Sequence, residues 1–80
     1  MTTVRVRLFA ALRELAGDSE VEASGVTVDD LVTALSERYG ERFAKVARAG
    51  SVVVDGERVP GERVLLDGDE VALLPPVSGG

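Results

Sequence analysis

From Thr3 to Phe9 apolar and polar residues alternate, with Val4, Val6 and Leu8 on one side and Arg5, Arg7 and Phe9 on the other. That period of two is the signature of a half-buried strand. Leu8, Leu12, Leu15 and Ala16 then recur at helical spacing and Gly17 can stop the run, so a short helix is expected over 10–16. Ser19 to Ala23 carries one strong apolar residue among polar ones, as an edge strand would, with Ser24-Gly25 expected as a turn. The plainest helix follows. Thr27 can cap it, Asp29 and Asp30 suit its positive end, and Thr27 with Asp30 forms a capping-box pattern. Val28, Leu31, Val32, Leu35 and Tyr39 fall on one stripe before Gly40, which places the main helix at 28–39.

Beyond Gly40, Phe43, Val46 and Ala47 predict a shorter helical segment over 41–49, packed as a cap over one end of the core. The β-branched run Ser51 to Val54 reads as a central strand buried on both faces. Asp55-Gly56 predicts a hairpin turn with Glu57 to Val59 returning from it, and Pro60-Gly61 breaks that pairing. Arg63 to Leu66 reads as a short strand or an extended connection. After the Asp67-Gly68-Asp69 turn, Glu70 to Leu74 is the last strand, stopped by Pro75-Pro76, neither of which can donate to a ladder.

No linker divides the chain and no repeat is present. The expected architecture is α+β: a mixed sheet of about five strands packed on one main helix with short extra helices, a β-grasp. Val4, Val6, Leu8, Val53 and Val71, or their neighbours, are the strand residues expected to meet the helix stripe. The domain is expected to occupy residues 1–74, with 75–80 an extended, flexible tail.

Composition narrows the chemistry. The chain contains no Cys and no His, which removes disulfides, thiolate chemistry and the commonest general base and zinc ligands. No metal site is expected. The net charge is −5, with 14 acidic against 9 basic residues, which disfavours nucleic acid and anionic membranes and favours a partner with a basic surface. Arg5, Arg7 and Arg13 interrupt any leader-like apolar run and no stretch approaches a membrane span, so a cytoplasmic location is expected.

The chain ends Pro75-Pro76-Val77-Ser78-Gly79-Gly80. Composition alone yields a glycine pair at about 1 in 80 positions, so the pair by itself argues nothing. Its setting does. A Gly-Gly carboxylate can enter a narrow cleft and be approached from either face. Residues 77–80 reach at most about 13–14 Å when extended. The two prolines stiffen the base of this reach and lower the entropy lost on threading it into a pocket.

Leu8-Phe9-Ala10 leading into Leu12-Arg13-Glu14-Leu15 with Gly17, the late Asp67-Gly68-Asp69-Glu70-Val71-Ala72 segment, and the Pro-Pro-Val-Ser-Gly-Gly terminus together resemble the ubiquitin-like sulfur carriers. Within them the chain is most similar to the MoaD-type small subunit of molybdopterin synthase, over essentially its whole length. Carriers of the ThiS type are usually shorter and lack the Arg-Glu helix. Two positions depart from the pattern: Leu73-Leu74 stands where an aromatic pair is frequent, and Asp55 where Asn is frequent.

The resemblance implies that an E1-like, ATP-dependent activating enzyme adenylates Gly80. A sulfur donor protein then converts the acyl-adenylate to a thiocarboxylate. This sulfur goes to a pterin precursor held by the large subunit of molybdopterin synthase, a heterotetramer, in molybdenum cofactor biosynthesis. No cofactor is bound; ATP belongs to the activating enzyme. The chain is then not catalytic alone, and Pro75, Pro76, Val77, Ser78 and Gly79 form the segment that threads Gly80 into its partners. Two alternatives stay open: a ubiquitin-like modifier conjugated through Gly80, and a carrier for thiamine or another sulfur pathway. Phe9, Arg13 and Leu74 are candidates for the partner interface. Phe9 could instead pack under the 41–49 segment, and Arg13 could instead be a surface salt-bridge residue. Asp67, Asp69 and Glu70 read as turn chemistry and solubility.

Overall fold

The computed structural model describes residues 2–77. Its elements run β1 (Thr2–Leu8), α1 (Ala11–Ala16), β2 (Glu20–Gly25), α2 (Val28–Tyr39), α3 (Glu41–Ala49), β3 (Ser51–Val54), β4 (Glu57–Arg58) and β5 (Glu70–Leu74). The five strands form one sheet in the order β2-β1-β5-β3-β4. β1 and β5 pair in parallel at its centre, and every other pairing is antiparallel. The chain's last strand is therefore its middle one.

Local chemistry explains why α2 starts and stops where it does. Thr27 Oγ1 accepts from the Asp30 N–H at 3.2 Å while Asp30 Oδ2 accepts from the Thr27 N–H at 3.2 Å, which completes the capping box. Val28, Leu31, Val32 and Leu35 are buried, and Tyr39 packs partly against the same core. On the sheet side Val4, Val6, Leu8, Ala23, Val54, Val71 and Leu73 face them, and α3 closes one end with Phe43 and Ala47. Phe43 is fully buried and lies 5.2 Å, ring centroid to ring centroid, from Tyr39.

Three expectations need correcting. Ser24-Gly25 is not a turn: β2 continues through it, pairing Ser24 with Thr3 and Gly25 with Thr2. A Cβ on Gly25 would lie 2.9 Å from the Leu31 nitrogen and 3.0 Å from the Asp30 Cβ, so this glycine admits the close crossing of α2. Second, β3 is not buried on both faces. Val54 faces the core, with Val52 partly packed against it, whereas Val53 points to the opposite, helix-free face. Val53 therefore does not join the helix stripe. The third concerns the acidic turn. Asp69 is buried, accepting from the Leu66 N–H at 2.8 Å and forming an ion pair with Arg63. It is a structural anchor rather than a solubility residue.

The hairpin is as the sequence suggests: Asp55 (φ 50°) and Gly56 (φ 86°) both take positive φ, as a type I′ turn requires. Residues 63–66 form an extended connection rather than a strand. Its backbone meets the start of α2, with the Val28 N–H donating to Arg63 O at 3.0 Å and the Leu65 N–H donating to Val26 O at 2.9 Å.

Candidate functional site

Because β1 and β5 are parallel, their C-terminal ends leave the sheet on the same side. The register pairs Leu8 with Leu73, so Phe9 and Leu74 are the next residues out on adjacent strands. Strand pairing stops at Leu74, and Pro75, Pro76 and Val77 carry no regular structure. Val77 is 87% exposed, free to be gripped by something other than its own domain. Ser78, Gly79 and Gly80, the remaining expected tail residues, lie outside the described residues.

Phe9 is 40% exposed and lies outside the buried core cluster that holds Phe43 and Ala47 of α3. Its carbonyl accepts from the Leu12 N–H at 3.1 Å, closing a tight turn with Ala10 at φ 50°, ψ −123°. These angles are those of the first central position of a type II′ turn, where glycine is favoured. The passage from β1 to α1 is thus a strained corner. No local pattern marks it, since Ala10-Ala11 is not a turn dipeptide. Gly17 then ends α1 at φ 83°, as its position suggested.

Arg13 is exposed and forms no ion pair among the described residues, nor does Arg7. Both line a cavity of about 180 Å³ with Leu8, Phe9, Ser19 and Glu20. Phe9 and Arg13 are therefore brought together, and Arg7 joins them. A cavity of about 380 Å³ between α2, the end of α3 and the β3–β4 hairpin contains none of the expected site residues.

The register also reveals a surface the sequence reading missed. Glu20, Arg7, Ala72, Val53 and Arg58 form one row across all five strands on the helix-free face. One step toward the tail, Ser51 pairs with Leu74; one step away, Arg5 pairs with Glu22 and Glu70. The face is thus graded, apolar near the tail through Val53, Ala72, Leu74 and Phe9, and charged at the far end. Val53, Ala72 and Leu74 are each half-buried by their neighbours. The type I′ turn fixes the pairs, Val53 opposite Arg58 and Val54 opposite Glu57, but not which pair faces the core.

Among the described residues, Asp69 is the one whose titration is displaced, and it belongs to the turn before β5. Its hydrogen bond from Arg63 comes first among the causes that hold its carboxyl below the ordinary range, followed by the Leu66 N–H; burial opposes them. Among the described residues no group of three or more His, Cys, Asp or Glu is arranged to hold a metal, and no helix is long and apolar enough to cross a membrane.

A mixed five-stranded sheet clasping one long helix, with the terminal strand at its centre, defines the ubiquitin-like β-grasp class. The sequence model of the ThiS family matches residues 6–80, and the chain belongs to that family. The Escherichia coli molybdopterin synthase sulfur carrier subunit is 37% identical over 81 residues, covering 96% of this chain and 99% of that one. The solution structure of small archaeal modifier protein 1 from Methanosarcina acetivorans superposes with a TM-score of 0.82 at 32% identity, covering 100% of this chain and 98% of its own. CysO in the crystal structure of the Amycolatopsis orientalis BexX/CysO complex gives 0.77 at 30% identity, with full coverage of both chains.

Proposed function

We propose that this chain is a sulfur carrier of molybdopterin biosynthesis, acting through a thiocarboxylate on Gly80 as the small subunit of molybdopterin synthase. The observation that carries the reading is the course of the C-terminus. The family match extends through Gly80, and the tail departs from the central strand beside the apolar end of an uncovered sheet face. A carboxylate is a poor electrophile. Attack of the Gly80 carboxylate on the α-phosphate of ATP, catalysed by an E1-like enzyme, releases pyrophosphate and creates an acyl-adenylate. Sulfide supplied by a donor protein then attacks the acyl carbon and displaces AMP, leaving Gly80 as a thiocarboxylate. The thiocarboxylate is nucleophilic at neutral pH and delivers its sulfur to a pterin precursor in the large subunit, and hydrolysis regenerates the carboxylate.

In this reading the chain has two parts. Residues 1–74 are the docking domain, and Pro75, Pro76, Val77, Ser78 and Gly79 thread Gly80 into an active site that the partner supplies. Phe9, Leu74, Ala72 and Val53 contact the partner, and Arg7 and Arg13 meet acidic groups at the edge of the contact. The BexX/CysO complex supports partnership with a second protein. A cytoplasmic location follows from the work assigned to it.

Intact mass after incubation with the cognate activating enzyme, ATP and a sulfur source tests the proposal. The expected result is a gain equal to replacing one oxygen by sulfur, absent when Gly80 is deleted. An unchanged mass under conditions that charge another carrier would sink it. The likeness to small archaeal modifier protein 1 favours a second reading, conjugation of Gly80 to protein lysines. Isopeptide-linked adducts in cell extracts would identify that fate.

A further inference from the structure

Gly50 sits where three segments meet. Its N–H donates to Val46 O at 3.1 Å and Ala47 O at 3.2 Å, closing α3; Ser51 after it opens β3; and Ser51 pairs with Leu74, the last residue of β5. Its φ of −92° lies outside the left-handed region that calls for glycine, so left-handed backbone geometry does not explain a glycine here. Space does. A Cβ on Gly50 would overlap the Leu74 carbonyl oxygen and come within 2.9 Å of the Leu74 carbonyl carbon and 3.0 Å of Pro75 Cα. All three are backbone atoms, so no rotamer change relieves the overlap; the start of the tail itself has to move.

We infer that Gly50 is a positioning residue for the C-terminal tail: its missing side chain lets the end of α3 seat directly under Leu74-Pro75 and so sets the direction in which the tail leaves the sheet. Pro75 completes the joint from the other side. Its ring fixes its own φ and restricts Leu74 to extended geometry, so a backbone held at Leu74 transmits its direction into the tail. The joint lies at the α3–β3 junction, between a helix and strand rather than on a loop, which suits a fixed exit angle. Gly50 acts through Leu74 and Pro75, and it need touch no partner.

This role rests on the carrier reading above, and the test separates the two. ATP–pyrophosphate exchange driven by the purified chain and its cognate adenylating enzyme measures kcat and KM for wild type, Gly50→Ala and Pro75→Gly. The second variant loosens the same joint without adding a Cβ, and so serves if Gly50→Ala does not fold. With the sheet face intact, KM should change by less than about twofold, while kcat should fall about tenfold or more, because a misdirected terminus reaches the reacting geometry less often. Amide resonances of Leu74 and Val77 should shift in Gly50→Ala, while those of β2 stay in place. Wild-type kcat in both variants, or unmoved Leu74 and Val77 resonances in a folded Gly50→Ala, overturns the positioning role alone. A wild-type chain that supports no exchange overturns the carrier reading and the role with it.

Discussion

Asp69 shows how one side chain can hold a connection that has no regular structure. Its carboxylate ties Arg63 and the Leu66 N–H to the residue just before β5, and so pins the 63–68 segment beside the start of α2. Arg63 remains partly solvated, with its side chain 28% exposed, so this is not a fully desolvated pair. Asp69→Asn keeps an acceptor for Leu66 but loses the charge-assisted bond, and should cost about 1–2 kcal/mol in urea denaturation at neutral pH. The pH dependence follows from linkage. A carboxyl whose folded pKa lies below its unfolded value contributes stability that is fully present above the unfolded pKa and is lost as pH falls through the folded one. The gap between wild type and Asp69→Asn should therefore be constant above the ordinary carboxylate range, near pH 4, and close on further acidification. A gap that persisted undiminished in strong acid would contradict this account.

At the scale of elements the decisive contact is β2 against α2. Gly25 has no positive φ to accommodate, and what it provides is room for Asp30 and the Leu31 backbone. Gly25→Ala should lower stability by about 1–3 kcal/mol, because α2 has to lift away from the sheet to admit the methyl group. Gly17→Ala is a useful contrast: a Cβ there meets nothing within 4 Å, but the φ of 83° is strained, so its cost is local to α1. Comparing hydrogen exchange in α2 between the two variants checks this, and equal effects on α2 would refute the packing role of Gly25. The same element marks the limit of what the sequence disclosed. Strong local signals were readable: the Thr27/Asp30 box, the stripe from Val28 to Tyr39, the Asp55-Gly56 turn and the proline stop at Leu74. The strand from Ser19 was rightly placed at an edge, yet its last two residues looked like a turn because Ser-Gly has turn chemistry. Only the crossing helix explains that glycine. The outward direction of Val53 and the burial of Asp69 are not visible in local pattern for a related reason, since burial of one strand face or one carboxylate is set by neighbours distant in sequence. Of the candidate site, Phe9, Arg13 and the tail were legible, while Ala72, Val53 and Arg7 required the cross-strand register.

For the whole molecule, the helix-free sheet face is asymmetric, and under the proposed function that asymmetry favours docking at one end. Near the tail it offers Phe9, Leu74, Ala72 and Val53, and at the far end Arg5, Glu22 and Glu70 lie together, with Arg5 also bridging to Glu20 at 3.0 Å. A partner that receives the carboxyl terminus is constrained by the short reach of the tail to rest on the near end. There, burial of an aromatic anchor yields more affinity than exposed ion pairs at the far end. Phe9→Ala and Leu74→Ala should each weaken binding to the large subunit by about tenfold, or ~1–2 kcal/mol, measured by calorimetry. Glu22→Gln should change it less than about twofold. Folding stability provides the control: Phe9 is already 40% exposed, so Phe9→Ala should move the denaturation midpoint little compared with its effect on binding. Equal losses at the two ends of the face would mean that the partner spans the whole sheet. No loss at Phe9 and Leu74 would place the contact elsewhere, and would leave the tail as the sole point of recognition.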